Sequence, residues 1–191
     1  MNFCSHCGAQ VEHIIPKDDN RLRYVCTSCD MIHYQNPRII AGCIAEYGNK
    51  ILLCKRAIEP SHGLWTLPAG FMENGETTSE AAQRETFEEA NAQVNNSRLY
   101  CTVSIPHISQ VYMMYRGDLV NGFAKPGIES LETELFNENQ IPWDSLAFPI
   151  IHETLTLYFA DKNNGHFSIY NGEMHRNEND EMVVNIYPIE K

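Results

Sequence analysis

An α/β fold with a small N-terminal metal-stapled module is predicted for this 191-residue chain on three observations. These are two Cys-x2-Cys pairs (Cys4/Cys7 and Cys26/Cys29), a succession of β-rich runs, and one carboxylate-rich helical segment between Thr77 and Asn91. With 43% hydrophobic and 20% charged residues the chain reads as soluble and globular, long enough for one full core and an appendage. No stretch is apolar over a length that would span a membrane. Its 14 basic and 25 acidic residues leave a net charge of −11, which argues against general nucleic-acid binding, because phosphate contacts need a basic patch.

Residues 1–36 read as a four-cysteine zinc ribbon. Thiolates on two such knuckles close a tetrahedral site, and the segment has too little apolar surface to fold alone, so a bound Zn2+ is expected to supply its folding free energy. His6 and His33 are alternative ligands, though Cys4, Cys7, Cys26 and Cys29 already complete a shell. Two disulfides are the competing reading. No apolar signal segment precedes Cys4, so reduced thiols and a cytoplasmic location are expected. Lys17, Arg21 and Arg23 face four acidic residues between Cys4 and Asp30, which leaves no nucleic-acid footprint.

Asn36-Pro37 breaks regular structure and opens a domain over residues 37–161. Runs 38–47 and 50–56 flank Gly48-Asn49, a hairpin turn, and Leu64-Trp65-Thr66-Leu67 leads into Pro68-Ala69-Gly70. Further strands are expected at 99–105, 109–115 and 132–136, and a helix over 149–159 with Ile151, Leu155 and Tyr158 on one stripe. Cys43, Cys54 and Cys101 lie in apolar stretches and read as core thiols. Residues 162–191 form a C-terminal extension, with strand-like 167–170 and 183–187 around a polar turn, hence a terminal hairpin.

On the helical segment Glu85, Glu88 and Glu89 stand at i, i+3 and i+4 and share one face. Like charges so placed destabilise a bare helix by about 0.2–0.5 kcal/mol per pair. A hard divalent cation with oxygen ligands offsets that repulsion, and Arg84 is placed to orient and partly neutralise the cluster. A solvated acidic helix face is the plainer alternative. Thr77 with Glu80 spells a capping box, and Asn91 suits a left-handed C-terminal cap.

From Gly70 to Ala92 the chain reads G-F-M-E-N-G-E-T-T-S-E-A-A-Q-R-E-T-F-E-E-A-N-A. This resembles the Nudix box, G-x5-E-x7-R-E-U-x-E-E-x-G-U, with Asn91 in place of a glycine. The resemblance implies an α/β/α sandwich and hydrolysis of a nucleoside diphosphate linked to another group. It also implies Mg2+ or Mn2+ held by Glu85, Glu88 and Glu89, with the Gly70 carbonyl joining them. The general base in the family is a box glutamate or one on a later loop, for which Glu132 is favoured over Glu129. The F-C-x-x-C-G opening and I-H-Y-Q-N-P resemble the zinc-ribbon group that acts on ADP-ribose or FAD and releases AMP. Pro106 lies where ADP-ribose-cleaving members carry a proline, although a strand terminator explains it equally. Arg56 holds a phosphate or a surface carboxylate. Trp65 and Tyr112 stack on a ligand ring or pack in the core. An NADH or dinucleoside-polyphosphate pyrophosphatase is the alternative within this class, but that NADH branch carries an S-Q-P-W-P-F-P array which residues 101–107 lack. A non-catalytic sensor binding nucleic acid through the ribbon is the alternative outside it. The expected partner is a small nucleotide substrate, with no nucleic acid and no membrane; a homodimer is left open.

Overall fold

With only Cys4 and Cys26 buried, the N-terminal segment forms a three-stranded antiparallel sheet: β1 (Val11–Ile14), β2 (Arg23–Cys26) and β3 (Ile32–His33). The computed structural model describes residues 1–189 and separates this unit, Met1–Pro37, from a second that begins at Arg38.

In the second unit β4 (Arg38–Tyr47) and β5 (Lys50–Arg56) are joined by Gly48-Asn49, with Tyr47 paired to Lys50 and Gly48 at φ 59°. β6 (Trp65–Thr66) pairs with β5, and β7 (Ala69–Phe71) pairs with β4. Helix α1 (Thr78–Ala90) follows, then β8 (Val94–Ile105), β9 (Gln110–Leu119), β10 (Ser130–Phe136), helix α2 (Pro149–Asn164), β11 (Tyr170–Arg176) and β12 (Met182–Pro188). The strand order is β10-β5-β4-β9-β8-β11-β12, a mixed sheet in which β4 runs parallel to β9 and β11 parallel to β8.

Burial on both faces explains the unbroken apolar runs of β4 and β5, since successive side chains point to opposite sides. Ile44, Ile51 and Leu53 enter one core with Ile151, Leu155 and Tyr158 of α2. Cys43, Leu52 and Cys54 enter the other with Ala81 and Ala82 of α1. Helices therefore cover both faces, the α/β/α sandwich expected from the sequence. The thiols of Cys43, Cys54 and Cys101 are buried, and burial raises the pKa of each.

Three of the boundaries that differ from expectation have plain physical reasons. β8 begins at Val94, because the polar Asn95-Asn96-Ser97 stretch is bulged: its register shifts between Asn95 and Arg98, and Asn96 sits at φ 51°. α2 continues to Asn164 and stops at Gly165 in the left-handed region. The terminal hairpin lies at Tyr170–Arg176 and Met182–Pro188, and it is no appendage. β11 extends the main sheet beside β8, and the Asp161 carboxylate of α2 accepts hydrogen bonds from Tyr170 (2.7 Å) and Tyr100 (3.1 Å). Among the described residues no helix is long and apolar enough to cross a membrane.

Candidate active site

Helix α1 carries the three glutamates, and both its ends are fastened. The Thr77 hydroxyl accepts the Glu80 N–H at 3.2 Å while the Glu80 carboxylate accepts the Thr77 N–H at 2.8 Å, the reciprocal capping box. Asn91, at φ 47°, ends the helix by donating its N–H to the Phe87 carbonyl at 2.7 Å. Asparagine tolerates the left-handed conformation, so the glycine usual at this box position is dispensable.

Arg84 is the hub of the cluster. Its guanidinium donates to both Glu76 oxygens (2.8 and 3.0 Å), to Glu85 (2.7 Å), to Glu88 (2.9 Å) and to the Phe71 carbonyl (3.0 Å). Glu80, one turn away, is taken up by the cap; Glu76 is the main partner, and this contact holds its carboxyl down at about 2. The three carboxylates differ in setting. Glu88 is exposed, whereas the Glu85 side chain is 12% exposed and Glu89 is buried. Burial raises the Glu85 carboxyl, and it pushes Glu89 up to about 8, with the Glu85 charge adding to the effect. Glu85 and Glu89, withdrawn from water on one cavity wall, are oxygen donors whose charge a hard cation would compensate. Gly70 of β7 lies so close that a Cβ there would overlap the Glu85 carboxylate, which would have to shift to make room.

A cavity of about 1240 Å3 opens in front of this strip. Gly70, Arg84, Glu85, Glu88 and Glu89 line it, together with Glu129 from the loop that precedes β10. That loop is held by the free carbonyls at the end of α1: Gly127 donates to Glu89 (2.9 Å), and Lys125 to Ala90 (2.7 Å). Gly127 is required there, because a Cβ would overlap the Glu88 carbonyl.

Several sequence expectations are revised by this geometry. Glu132 does not reach the cavity: it accepts an ion pair from Lys55 at 2.8 Å, directed there by the strand register that sets Glu132 opposite Lys55. Glu129 is the late-loop carboxylate that faces the cavity. Trp65 does not line the cavity either; it packs edge-on against Phe136 at 5.0 Å in the core, while Tyr112 does line it. Pro106 starts a short 3-10 turn, Pro106–Ile108, and it is the flanking Ile105 and Ile108 that face the cavity. Arg56 lines the wall with its Nε donated to the Pro60 carbonyl at 2.8 Å and its guanidinium over the Phe148 ring at 5.1 Å. Phe148 and Met174 also line it, and nothing in the local sequence marks either.

In the first unit the sulfurs of Cys4, Cys7, Cys26 and Cys29 lie within 4.8 Å of one another. The Cys7–Cys26 and Cys4–Cys29 separations, 3.4 and 3.8 Å, exceed the roughly 2.05 Å of a disulfide and suit thiols converging on one ion. The N–H groups of Cys29 and Ser28 donate to Cys26 Sγ, each at 3.4 Å, and bring that thiol down to about 6. His33 Nε2 stands 3.3 Å from Cys4 Sγ, a neighbour of the cluster outside the four-sulfur set. His6 contributes its backbone N–H to the same sulfur at 3.4 Å.

Comparison with known proteins places these features. The family model described as NUDIX domain matches residues 36–158, and the Zn_ribbon_Nudix model, described as Nudix N-terminal, matches residues 2–35. The chain is 32% identical over 147 residues to a NAD-capped RNA hydrolase NudC of Vibrio atlanticus, covering 74% of this chain and 51% of that one. It is 35% identical over 139 residues to an ADP-ribose pyrophosphatase of Methanocaldococcus jannaschii, covering 69% and 78%. The chain thus spans about half the length of the Vibrio relative. A crystal structure of a NUDIX hydrolase from Nitrosomonas europaea is 53% identical with a TM-score of 0.88, covering 91% of this chain and 98% of the other.

Proposed function

The chain belongs to the NUDIX domain family, and from that premise we propose that it is a metal-dependent pyrophosphohydrolase acting on nucleoside diphosphate derivatives, ADP-ribose or FAD, with release of AMP. One observation carries the reading: Glu85, Glu88 and Glu89 converge with Gly70 on a single cavity that a late-loop carboxylate, Glu129, also enters.

Glu85, Glu88, Glu89 and the Gly70 carbonyl would hold Mg2+ or Mn2+. When bound there, such an ion screens the pyrophosphate charge and makes water a stronger nucleophile. The chain's own residues supply the rest. Arg84 holds Glu85 and Glu88 in place. Arg56, its guanidinium 5.1 Å from the centre of the Phe148 ring, would meet the phosphates of the substrate. Water attacks phosphorus in line with the bridging oxygen; the bond to that oxygen breaks, and Glu129 takes the water proton. The four cysteines of the first unit would hold a structural Zn2+.

NADH or a NAD-type cap is the second reading, favoured by the name of the Vibrio relative. Product chromatography with ADP-ribose, FAD, NADH and a nucleoside triphosphate, each with Mg2+ and Mn2+, tests both. AMP from ADP-ribose or FAD at a higher kcat/KM than from NADH is expected, and a clear preference for NADH transfers the assignment to the second reading.

A further inference from the structure

Arg56 and Arg84 both line the cavity, and only Arg84 is fully engaged. Arg84 divides its guanidinium among Glu76, Glu85, Glu88 and the Phe71 carbonyl. Arg56 gives only its Nε, to the Pro60 carbonyl at 2.8 Å, and among the described residues it makes no ion pair. Carboxylates are not lacking there, since Glu85, Glu88, Glu89 and Glu129 line the same cavity. Burial raises the pKa of Glu89 and of Tyr112, and the Arg56 charge works against the rise in both, so the guanidinium stands beside the two. A cation left unpaired among carboxylates on a half-buried wall needs a restraint, because attraction is strong where water is sparse.

Phe148 supplies that restraint. Its ring centre lies 5.1 Å from the guanidinium carbon, inside the roughly 6 Å over which a ring face attracts a cation. The backbone ties the two residues together. The Arg56 N–H donates to the Leu64 carbonyl and the Arg56 carbonyl accepts the Gly63 N–H, each at 2.9 Å, which closes the loop 57–63 that carries Pro60. From that loop the Ser61 hydroxyl donates to the Ala147 carbonyl at 3.3 Å, and the Ala147 N–H donates to the Trp65 carbonyl at 2.8 Å. The residue before Phe148 is thus fastened to the loop and to β6 behind it. Phe148 is also the N-cap of α2, where Ser, Thr, Asp or Asn would accept a helix N–H, and it makes no side-chain cap hydrogen bond. A ring in that position forgoes the bond, a local conflict of the kind that gathers at functional sites.

Resting on the pyrophosphohydrolase reading above, we infer that Phe148 is a positioning residue: with the Pro60 carbonyl, its ring holds the Arg56 guanidinium off the carboxylates, so that the two terminal nitrogens stay open to the oxygens of a substrate phosphate. An aromatic face suits this task, since it attracts the cation without occupying its N–H donors. A carboxylate in the same place would fill the donors and cancel the charge that an anionic ligand needs. Without the ring, the guanidinium turns to Glu89 beside it, where it competes with a divalent cation and is lost to the phosphate.

Two readouts test it on the full chain at saturating Mg2+, with thermal melting to verify folding: KM for ADP-ribose, and the affinity for ADP by calorimetry. Phe148→Leu removes the ring and is expected to raise KM and weaken ADP about 5- to 30-fold, while kcat changes less than about threefold. Phe148→Tyr keeps an aromatic face and is expected to stay within about threefold of wild type. In an Arg56→Gln background, Phe148→Leu should have no further effect on either readout. A loss of the same size in both backgrounds would show that the ring acts by packing or on the ligand directly, and would overturn the inference. Unchanged KM and ADP affinity in folded Phe148→Leu would overturn it too. Should Phe148→Leu not fold, phenylalanines of increasing ring fluorination at position 148 decide, because they keep the shape while the ring face loses its negative charge. A stepwise rise in KM and fall in ADP affinity along that series supports the positioning role, and a flat series overturns it. Absence of turnover would sink the activity alone, since ADP affinity still reports the guanidinium. An ADP affinity that Arg56→Gln leaves unchanged overturns the inference whatever the turnover.

Discussion

Each glutamate of the α1 strip meets the cavity on different terms, and the substitutions worth making follow from that. Glu88→Gln and Glu89→Gln are isosteric and leave the capping box untouched, yet each removes a charge that a cation would need. Both are expected to lower kcat by several orders of magnitude with the fold unchanged, measured at saturating Mg2+. Near-normal turnover in both would return the strip to a solvated acidic face. Arg84→Lys is a sharper probe of positioning. The guanidinium serves Glu76, Glu85, Glu88 and the Phe71 carbonyl at once, which a point-charge ammonium cannot reproduce. A loss of about 10- to 100-fold in metal affinity is expected, read by Mg2+ titration of activity. Glu129→Gln against Glu132→Gln separates base from bystander. The first should lower kcat with metal affinity kept, and the second, which only releases Lys55, should not. The carboxylate strip was legible in the sequence because i, i+3 and i+4 spacing is local. The choice between Glu129 and Glu132 was not, since it depends on a loop docked on the end of α1 and on a strand register that points Glu132 to Lys55.

At the level of elements, what the sequence displayed well was anything closed by short-range contacts. Thr77 with Glu80, Asn91 in the left-handed region and the Gly48-Asn49 turn all form where neighbouring residues call for them. What it concealed were strands whose partners are distant: polar Asn95-Asn96-Ser97 hides the start of β8 behind a bulge, and the parallel pairing of β11 with β8 has no local signature. The cap offers a simple check, since Thr77→Ala is expected to destabilise the protein by about 1 kcal/mol in denaturant unfolding, without loss of turnover beyond the unfolded fraction. The four-cysteine unit offers another. With four converging thiols and only Cys4 and Cys26 buried, its order is expected to depend on a metal, and elemental analysis is expected to find one Zn2+ per chain. Cys26→Ser, which removes the sulfur held by two backbone N–H groups, should abolish that zinc and lower the melting temperature of the first unit. Unaltered zinc content and melting in this variant would refute the ribbon.

For the molecule as a whole, charge bears on a point where the names of its relatives differ, ADP-ribose against a NAD cap on RNA. A net charge of −11 sets a repulsive field around the chain, and a pyrophosphate would meet positive charge at the cavity lined by Arg56 and Arg84, where a divalent cation would add to it. An RNA body adds phosphates outside that cavity and meets the field unscreened. RNA-binding proteins gain affinity as salt is lowered, because each phosphate contact releases counterions. The opposite is expected here: kcat/KM for a NAD-capped RNA should not exceed that for free NADH, and lowering the salt should reduce the capped RNA's value further. The measurement compares the two substrates across a salt series at fixed free Mg2+. A capped RNA that outperforms the dinucleotide, with the advantage growing at low salt, would reveal a local basic track strong enough to override the net charge and would move the substrate assignment to capped RNA.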